Sequence, residues 1–331
     1  MEEYKSQFNI GIAILKIWMC FEVILMHFWN ASNVKGILYI IAQLRLAAVP
    51  VFMMTSFYYL YPLLCNITKE RVQKRILRIA WPQVGWTLIA GLLLYRRPIS
   101  DLYLQLIFGH SINRTMWFQF VLIILTVFFI GFFKLCKNLD TNYLLFGLII
   151  ISFTLQFSGF NYKIISPLRD FCGDDTLSAP LGRVVESIPW AVIGILFNKY
   201  GVVEKVKDKK IFAVILFLIS FIPIVLNKFI MPKGFGYSGL GLCMVGAAFV
   251  LFFSSVVDEI IPEKVGRFIE ILAKPTMGIY CCQDLIAGII EPDMGYQSQD
   301  MGFCFMLFWG CWILCMLLSK VPVRWVRHLV V

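Results

Sequence analysis

Long apolar windows recur along the whole chain of 331 residues, and they constrain its fold more than any other feature. Each is close to the length of about twenty residues that an α-helix needs to cross the hydrocarbon core of a bilayer. Because lipid offers the backbone no hydrogen-bond partner, segments of this kind are expected to be helical. Ten windows are present, at residues 9–31, 37–63, 79–95, 117–136, 142–160, 183–199, 210–229, 237–257, 269–290 and 301–319.

The composition agrees with a membrane protein. Hydrophobic residues make up 60% of the chain and charged residues only 15%, and the mean hydropathy is +0.79. No segment remains that could form a separate water-soluble domain. The sequence therefore predicts an all-α fold, a polytopic transmembrane bundle of about ten spanning helices, in a single domain that covers residues 1–331.

The net charge of +10 is distributed unevenly between the two sides of this predicted bundle. If the N-terminus is cytoplasmic, 19 Lys and Arg residues fall on the cytoplasmic side and eight on the other side. This bias follows the positive-inside rule, so both termini are predicted to be cytoplasmic and the number of spans to be even. The bias also accounts for the basic charge without nucleic acid, and the expected partner is the lipid bilayer of a cell membrane.

Two basic residues, Lys16 and His27, lie inside the first window. A charge at membrane depth costs at least about 2.5–3.5 kcal/mol on insertion scales, so such residues are functional candidates by default. A spacing of eleven residues is nearly three helical turns, which puts both side chains on one face, about 16 Å apart along the axis. Histidine is the commonest general base, and His27 is therefore a catalytic candidate. The alternative is a histidine bonded to a neighbouring helix for purely structural reasons.

The second window repeats this spacing with Arg45 and Ser56, which are also expected to share a helix face. Pro50 lies between them and is expected to kink the helix, since proline frees a backbone carbonyl. Glu22, in the first window, needs a partner inside the membrane, and Arg45 is one candidate. Ser56 has an alternative interpretation as a packing residue that bonds back to its own helix.

Arg75 and Arg78 form a basic step at the cytoplasmic border of the third window. Side chains three residues apart point to one side of a helix, and the planar fork of arginine suits phosphate and carboxylate. The pair therefore predicts an anion clamp, to whose field Lys74 adds. The alternative is an ordinary positive flank that reaches the lipid headgroups. Arg183 and Glu186, three residues apart, are most simply a pair whose opposite charges neutralise each other.

The ten cysteines are scattered, mostly within apolar windows, and no C-x-x-C pair occurs. Neither a disulfide framework nor a metal site is indicated by these spacings. Most of the cysteines are expected to act as small apolar packing residues.

The order of these residues resembles the acyltransferase-3 family of integral membrane acyltransferases over essentially the whole chain. In that family a basic residue and a histidine mark the first span, as Lys16 and His27 do here. The pattern of its second span is matched by Arg45, Val49, Pro50, Phe52 and Ser56, with Phe57 where glycine is usual. The basic step and the aromatic pair that open its third and fourth spans are matched by Arg75, Arg78, Trp117 and Phe118. Near the ninth span the family pattern G-x-Y-x-x-H is matched by Gly278 and Tyr280, with Gln283 in the place of the histidine.

The resemblance implies transfer of an acyl group, most often acetyl, from acetyl-CoA or another acyl-CoA on the cytoplasmic side. The implied acceptor is a hydroxyl of a cell-surface or exported glycan or of a lipid-linked saccharide, in the plasma or inner membrane of a bacterium. His27 and Lys16 are then the catalytic candidates. The donor-binding candidates are Arg75, Arg78, Lys74 and Ser56, and the acceptor-binding candidates are Arg45, Glu22, Tyr280 and Gln283. Gln283 cannot act as a base, so proton transfer at that position is not expected here.

Two routes and two other functions stay open at this point. His27 either deprotonates the acceptor hydroxyl for direct attack on the thioester, or takes the acyl group itself and passes it on. Intramembrane charges and a kinked span also describe a transporter of a small polar molecule. A catalytically silent scaffold in a polysaccharide assembly complex is the remaining possibility.

Overall fold

The computed structural model describes residues 9–30, 34–93, 116–137, 139–158, 178–224, 240–290 and 299–330. Regular structure within these residues is helical, apart from one isolated bridge between Trp29 and Gln299, which confirms the all-α prediction. The helices are α1 (Ile10–Phe28), α2 (Ile37–Leu44), α3 (Ala48–Tyr58), α4 (Tyr61–Cys65), α5 (Lys69–Leu93), α6 (Trp117–Leu135), α7 (Thr141–Phe157), α8 (Ser178–Lys199), α9 (Val202–Lys207), α10 (Lys210–Ile219), α11 (Leu240–Phe252), α12 (Asp258–Ile260), α13 (Glu263–Ala273), α14 (Thr276–Ile290), α15 (Met301–Lys320) and α16 (Arg324–Arg327).

Six helical runs among the described residues are long and apolar enough to cross a membrane. They are Ile10–Phe28, Ala42–Cys65, Lys69–Leu93, Trp117–Leu135, Gly241–Ile260 and Met301–Lys320. Three shorter apolar helices accompany them, at Thr141–Phe157, Lys210–Ile224 and Thr276–Ile290. Parts of the predicted windows, at residues 31, 94–95, 159–160, 225–229 and 237–239, lie outside the described residues. The multi-pass architecture is thus established, whereas the total of ten spans and the cytoplasmic termini stay predictions.

The outer faces of these helices are apolar. On α15, for example, Phe305, Met306 and Leu317 are each more than half exposed. Large exposed apolar patches are rare on soluble monomers, whereas they are the normal surface of a protein surrounded by lipid tails.

Helix α1 lies in the middle of the described bundle and is buried along most of its length. It packs against α3, α13, α14, α15 and the π-helical turn Phe253–Val257. Helix α15 runs antiparallel to α1, since Phe28 contacts Phe303 while Phe21 contacts Phe308. The central position of α1 means that its polar residues are surrounded by other helices.

The start of α1 is held by side chains from its own cap and from a distant segment. Asn9 accepts a hydrogen bond from the backbone of Ile12, a normal N-cap contact. Asp258 accepts bonds from the backbone N–H groups of Ile10 and Gly11, at 2.6 and 3.3 Å, and pairs with Lys207 at 3.1 Å. The carboxylate is favourable at this end because the helix N-terminus carries partial positive charge.

Gly11 allows α1 to approach the π-helical turn closely. A Cβ at this position would lie 1.7 Å from the carbonyl oxygen of Phe253, and a backbone atom cannot rotate away as a flexible side chain can. We expect Gly11→Ala to lower the free energy of unfolding by at least about 1–3 kcal/mol, the usual cost of overpacking. Thermal unfolding of the purified protein in detergent measures this loss. Gly147→Ala is the matched control, because nothing lies within 4 Å of a Cβ there, and an equal loss in both variants would contradict the close approach.

The second predicted span is interrupted as Pro50 requires. A 3-10 turn, Arg45–Ala47, joins α2 to α3, and Pro50 lies in the first turn of α3. The proline ring would clash with the carbonyl four residues earlier, at Leu46, so the chain tightens there. The α-helical pattern is thus interrupted just before Pro50, while the kink itself stays a prediction.

Candidate functional site

A cavity of about 420 Å³ opens between α1, α3, α5, α6, α13 and α14. Five of the candidate site residues predicted from the sequence line it, namely Lys16, Ser56, Arg75, Arg78 and Tyr280. These residues come from four helices that are far apart in the chain, so their meeting is a result of the tertiary fold. We call this space the cationic cavity, for its four cations Lys16, Arg75, Arg78 and Lys274.

Two contacts hold the basic side chains in place. The guanidinium of Arg75 donates hydrogen bonds to the hydroxyl and to the carbonyl oxygen of Ser56. The ammonium of Lys16 lies 5.2 Å from the ring centre of Tyr59, a cation–π arrangement. Because Ser56 and Tyr59 are neighbours on one face of α3, both cations are directed to the same space.

The cavity carries an excess of positive charge. The described residues that line it include four cations and one carboxylate, Glu270, which pairs with Lys274 at 3.9 Å. Arg75 Nε is also buried and has no hydrogen-bond partner among the described residues. An unsatisfied buried donor is costly, and an anionic ligand would satisfy it. The cavity is therefore suited to a ligand with phosphate or carboxylate groups at one end.

A second polar group lies farther along α1 and does not line the cationic cavity. His27 and Glu22 are both buried, with exposed fractions of 8% and 1%. Trp18 Nε1 donates to Glu22 Oε1 at 2.8 Å, and Glu22 interacts electrostatically with Arg45. Arg45 also donates to the carbonyl of Leu25, one turn from these residues. The partner expected for Glu22 from the sequence is thus present, and this acid–base group lies beyond the cavity.

Helices α13 and α14 run in the same direction as α1. Gly266 on α13 lies against Ile10, and Cys20 donates to the carbonyl of Thr276 at the start of α14. The later residue of one segment therefore contacts the later residue of the other. Parallel packing is also what the ten-span prediction requires of its first and ninth spans.

Gln283 is fully buried, and its side-chain nitrogen donates to the carbonyl of Tyr280 at 3.2 Å. Its side-chain oxygen has no hydrogen-bond partner among the residues that the structure describes.

Lys74 is exposed and does not line the cavity, although Arg75 beside it does. Arg183 and Glu186 lie 3.6 Å apart, in the self-neutralising pair expected from their spacing.

The sequence reasoning passed over two residues that the structure brings forward. Tyr59 lines the cavity and contacts Lys16, and its position one turn after Ser56 on the same face was the available signal. Asp284 is a single carboxylate in the apolar helix α14 and follows Gln283 directly. A lone acid at membrane depth is itself a functional signal.

Fold and site together define a multi-pass membrane protein with an internal cationic cavity and a buried histidine beyond it. The family model of the acyltransferase domain known as acyltransferase-3 matches residues 9–320. The chain belongs to the acyltransferase-3 family, which confirms the resemblance drawn from its motifs. No curated protein and no solved structure matches the chain. As a member of this family it is a membrane acyltransferase.

Proposed function

We propose that this acyltransferase is an acyl-CoA-dependent O-acyltransferase, most directly an O-acetyltransferase. It moves the acyl group from a cytoplasmic donor to a hydroxyl of a cell-surface or exported glycan or of a lipid-linked saccharide. The observation that carries the proposal is the convergence of Lys16, Arg75 and Arg78 on one cavity inside a membrane acyltransferase.

The cationic cavity suits the donor because CoA is an anion with a long, flexible pantetheine arm. Arg75 is oriented by Ser56 and keeps a buried donor atom without a partner, so a phosphate oxygen would complete its hydrogen bonds. Arg78 adds a second guanidinium to the same lining. Lys16, turned toward Tyr59, adds a further positive charge to the lining, beside which the pantetheine arm would pass.

The buried polar group beyond the cavity suits the acceptor. His27 supplies the base that takes the hydroxyl proton. Gln283, whose buried side-chain oxygen has no partner among the described residues, orients the hydroxyl by hydrogen bonding. Arg45 and Glu22 complete a polar environment in which a sugar can bind. Both the direct route and a route through an acylated His27 are compatible with this arrangement.

The orientation follows from the charge distribution. The cavity opens near the start of α1, on the side to which the positive-inside rule assigns most Lys and Arg residues. The donor therefore enters from the cytoplasm, and both termini lie on that side of a bundle of about ten spans. The cell membrane of a bacterium is the location that fits an acyl-CoA donor and an exported glycan.

The decisive experiment adds acetyl-CoA with a radiolabelled acetyl group to the purified protein in nanodiscs. We expect saturable binding of acetyl-CoA and of CoA, and much weaker binding of ATP, which has phosphates but no pantetheine arm. In cells, proton NMR of the surface glycan should show acetyl signals that disappear when the gene is deleted and return when it is restored. A protein that neither binds acetyl-CoA nor changes any acetyl signal would contradict the proposal.

A transporter is the second candidate, because Glu22 is a buried ionisable residue in an apolar helix and interacts with the half-buried Arg45. Transport predicts uptake of a small polar molecule that is independent of acyl-CoA.

The same radiolabelled acetyl-CoA distinguishes the two routes of acyl transfer. Label that appears on the protein during turnover would indicate the acyl-enzyme route, whereas transfer without labelled protein would indicate the direct route.

A further inference from the structure

Three aromatic side chains from three helices contact one another at the inner end of the cationic cavity. The ring centres of Phe52 and Phe118 lie 6.0 Å apart, those of Phe52 and Tyr280 6.4 Å, and those of Phe118 and Tyr280 5.4 Å. All three residues line the cavity, and Phe118 and Tyr280 are almost fully buried. We call this group the aromatic triad.

The order of residues along α3 shows which end of the cavity the triad closes. Tyr59, which contacts Lys16, lies at the end of the helix. Ser56, which accepts a hydrogen bond from Arg75, is one turn deeper. Phe52 is one turn deeper again. Seven residues of helix separate Tyr59 from Phe52, a rise of about 10 Å. The anion-binding groups and the triad are thus at successive depths of one space.

The contacts of α1 with the second span give the other side of the triad. Lys16 contacts Tyr59, whereas Leu25, nine residues farther along α1, accepts a hydrogen bond from Arg45. Phe52 lies between Arg45 and Tyr59 in the chain, so the triad lies deeper than the Tyr59 contact and short of the Arg45 contact, at the end of the cavity where the acyl group of a bound donor would stop.

We propose that the aromatic triad limits the length of the acyl group, so that the site takes acetyl and rejects longer chains. This inference rests on the proposed function, because it assigns the triad to the acyl end of a bound acyl-CoA. Rings that interlock from three helices cannot move aside singly without leaving gaps in a close-packed interior. A hydrophobic pocket discriminates against one extra methylene by about 10–200-fold, and a longer chain must meet at least one ring.

The test is competition binding to the purified protein in nanodiscs, with CoA, acetyl-CoA, butyryl-CoA and hexanoyl-CoA displacing labelled CoA. We expect the wild type to bind acetyl-CoA at least about tenfold more tightly than hexanoyl-CoA. Phe118→Ala and Phe52→Ala should reduce this preference at least about tenfold, mainly through tighter binding of the longer chains. Phe128→Ala is the matched control, because Phe128 lies on the same helix, α6, but is 40% exposed and does not line the cavity.

Milder substitutions keep the inference testable if the alanine variants fail to fold. Phe118→Leu and Phe52→Leu keep an apolar side chain and should shift the preference in the same direction by a smaller factor. An unchanged chain-length preference in folded triad variants that still bind CoA would overturn the inference and leave the proposed function standing. A wild type that binds neither CoA nor acetyl-CoA would overturn both.

Discussion

Replacing His27 with alanine should reduce acyl transfer by about 10²–10⁴-fold, the usual contribution of a positioned general base. His27 is buried on α1, two residues after Leu25, whose carbonyl accepts a hydrogen bond from Arg45. Because His27 does not line the cationic cavity, the affinity for acetyl-CoA should stay unchanged. Label transfer from acetyl-CoA to the acceptor glycan, together with donor binding, measures both effects.

The matched control for this substitution is His328→Ala. His328 is exposed in the C-terminal tail, directly after α16, and should be replaceable without loss of activity. Size-exclusion profiles and thermal unfolding of both variants distinguish a lost base from a lost fold. Full transfer activity in a folded His27→Ala protein would remove His27 from the mechanism and favour the scaffold interpretation.

Replacing Arg75 with alanine should weaken binding of CoA and acetyl-CoA by about 10–100-fold, as expected for a charge-assisted hydrogen bond to a phosphate. Arg75 is held by Ser56 and has a buried Nε that lacks a partner among the described residues, so its fork is already oriented for an anion. The loss should appear mainly in KM for the donor, because the proposed contact is made both before and during the reaction. Titration of the purified variant with acetyl-CoA provides the measurement.

Two further variants sharpen this test. Arg71→Ala, one turn earlier on α5, removes an exposed cation that does not line the cavity, and should have little effect. Arg75→Lys keeps the charge but not the planar fork, so we expect it to recover only part of the affinity. Equal losses for Arg71→Ala and Arg75→Ala would mean that general positive charge, rather than this site, attracts the donor.

Local sequence patterns predicted several helices closely, because length and hydropathy are properties of each segment alone. The windows 117–136 and 301–319 correspond to helices Trp117–Leu135 and Met301–Lys320. The third window was too short, since α5 begins at Lys69 rather than at residue 79. Lys, Arg, Glu and Gln are good helix formers, so the basic stretch continues the helix although it is not apolar. Arg75 and Arg78 are therefore rigidly joined to the spanning part of α5.

Contacts between distant segments were beyond the reach of these patterns. The ninth window, 269–290, is divided between α13 and α14 at Lys274 and Pro275, since proline offers no backbone donor there. Helical projection put Lys16 and His27 on one face, yet only Lys16 lines the cavity. Which part of a face is open depends on the helices that cover it, and the sequence of α1 does not contain that information.

By itself the sequence determined the class of the protein, because membrane insertion depends on the length, hydropathy and charge of each segment in turn. It also identified the costly polar residues that a bilayer would otherwise exclude, among them Lys16, His27 and Arg45. Only the tertiary structure decided that Lys16, Ser56 and Arg75 share one cavity, which His27 does not line. The reason is physical: side-chain packing between helices far apart in the chain sets their register, and register determines which polar groups meet.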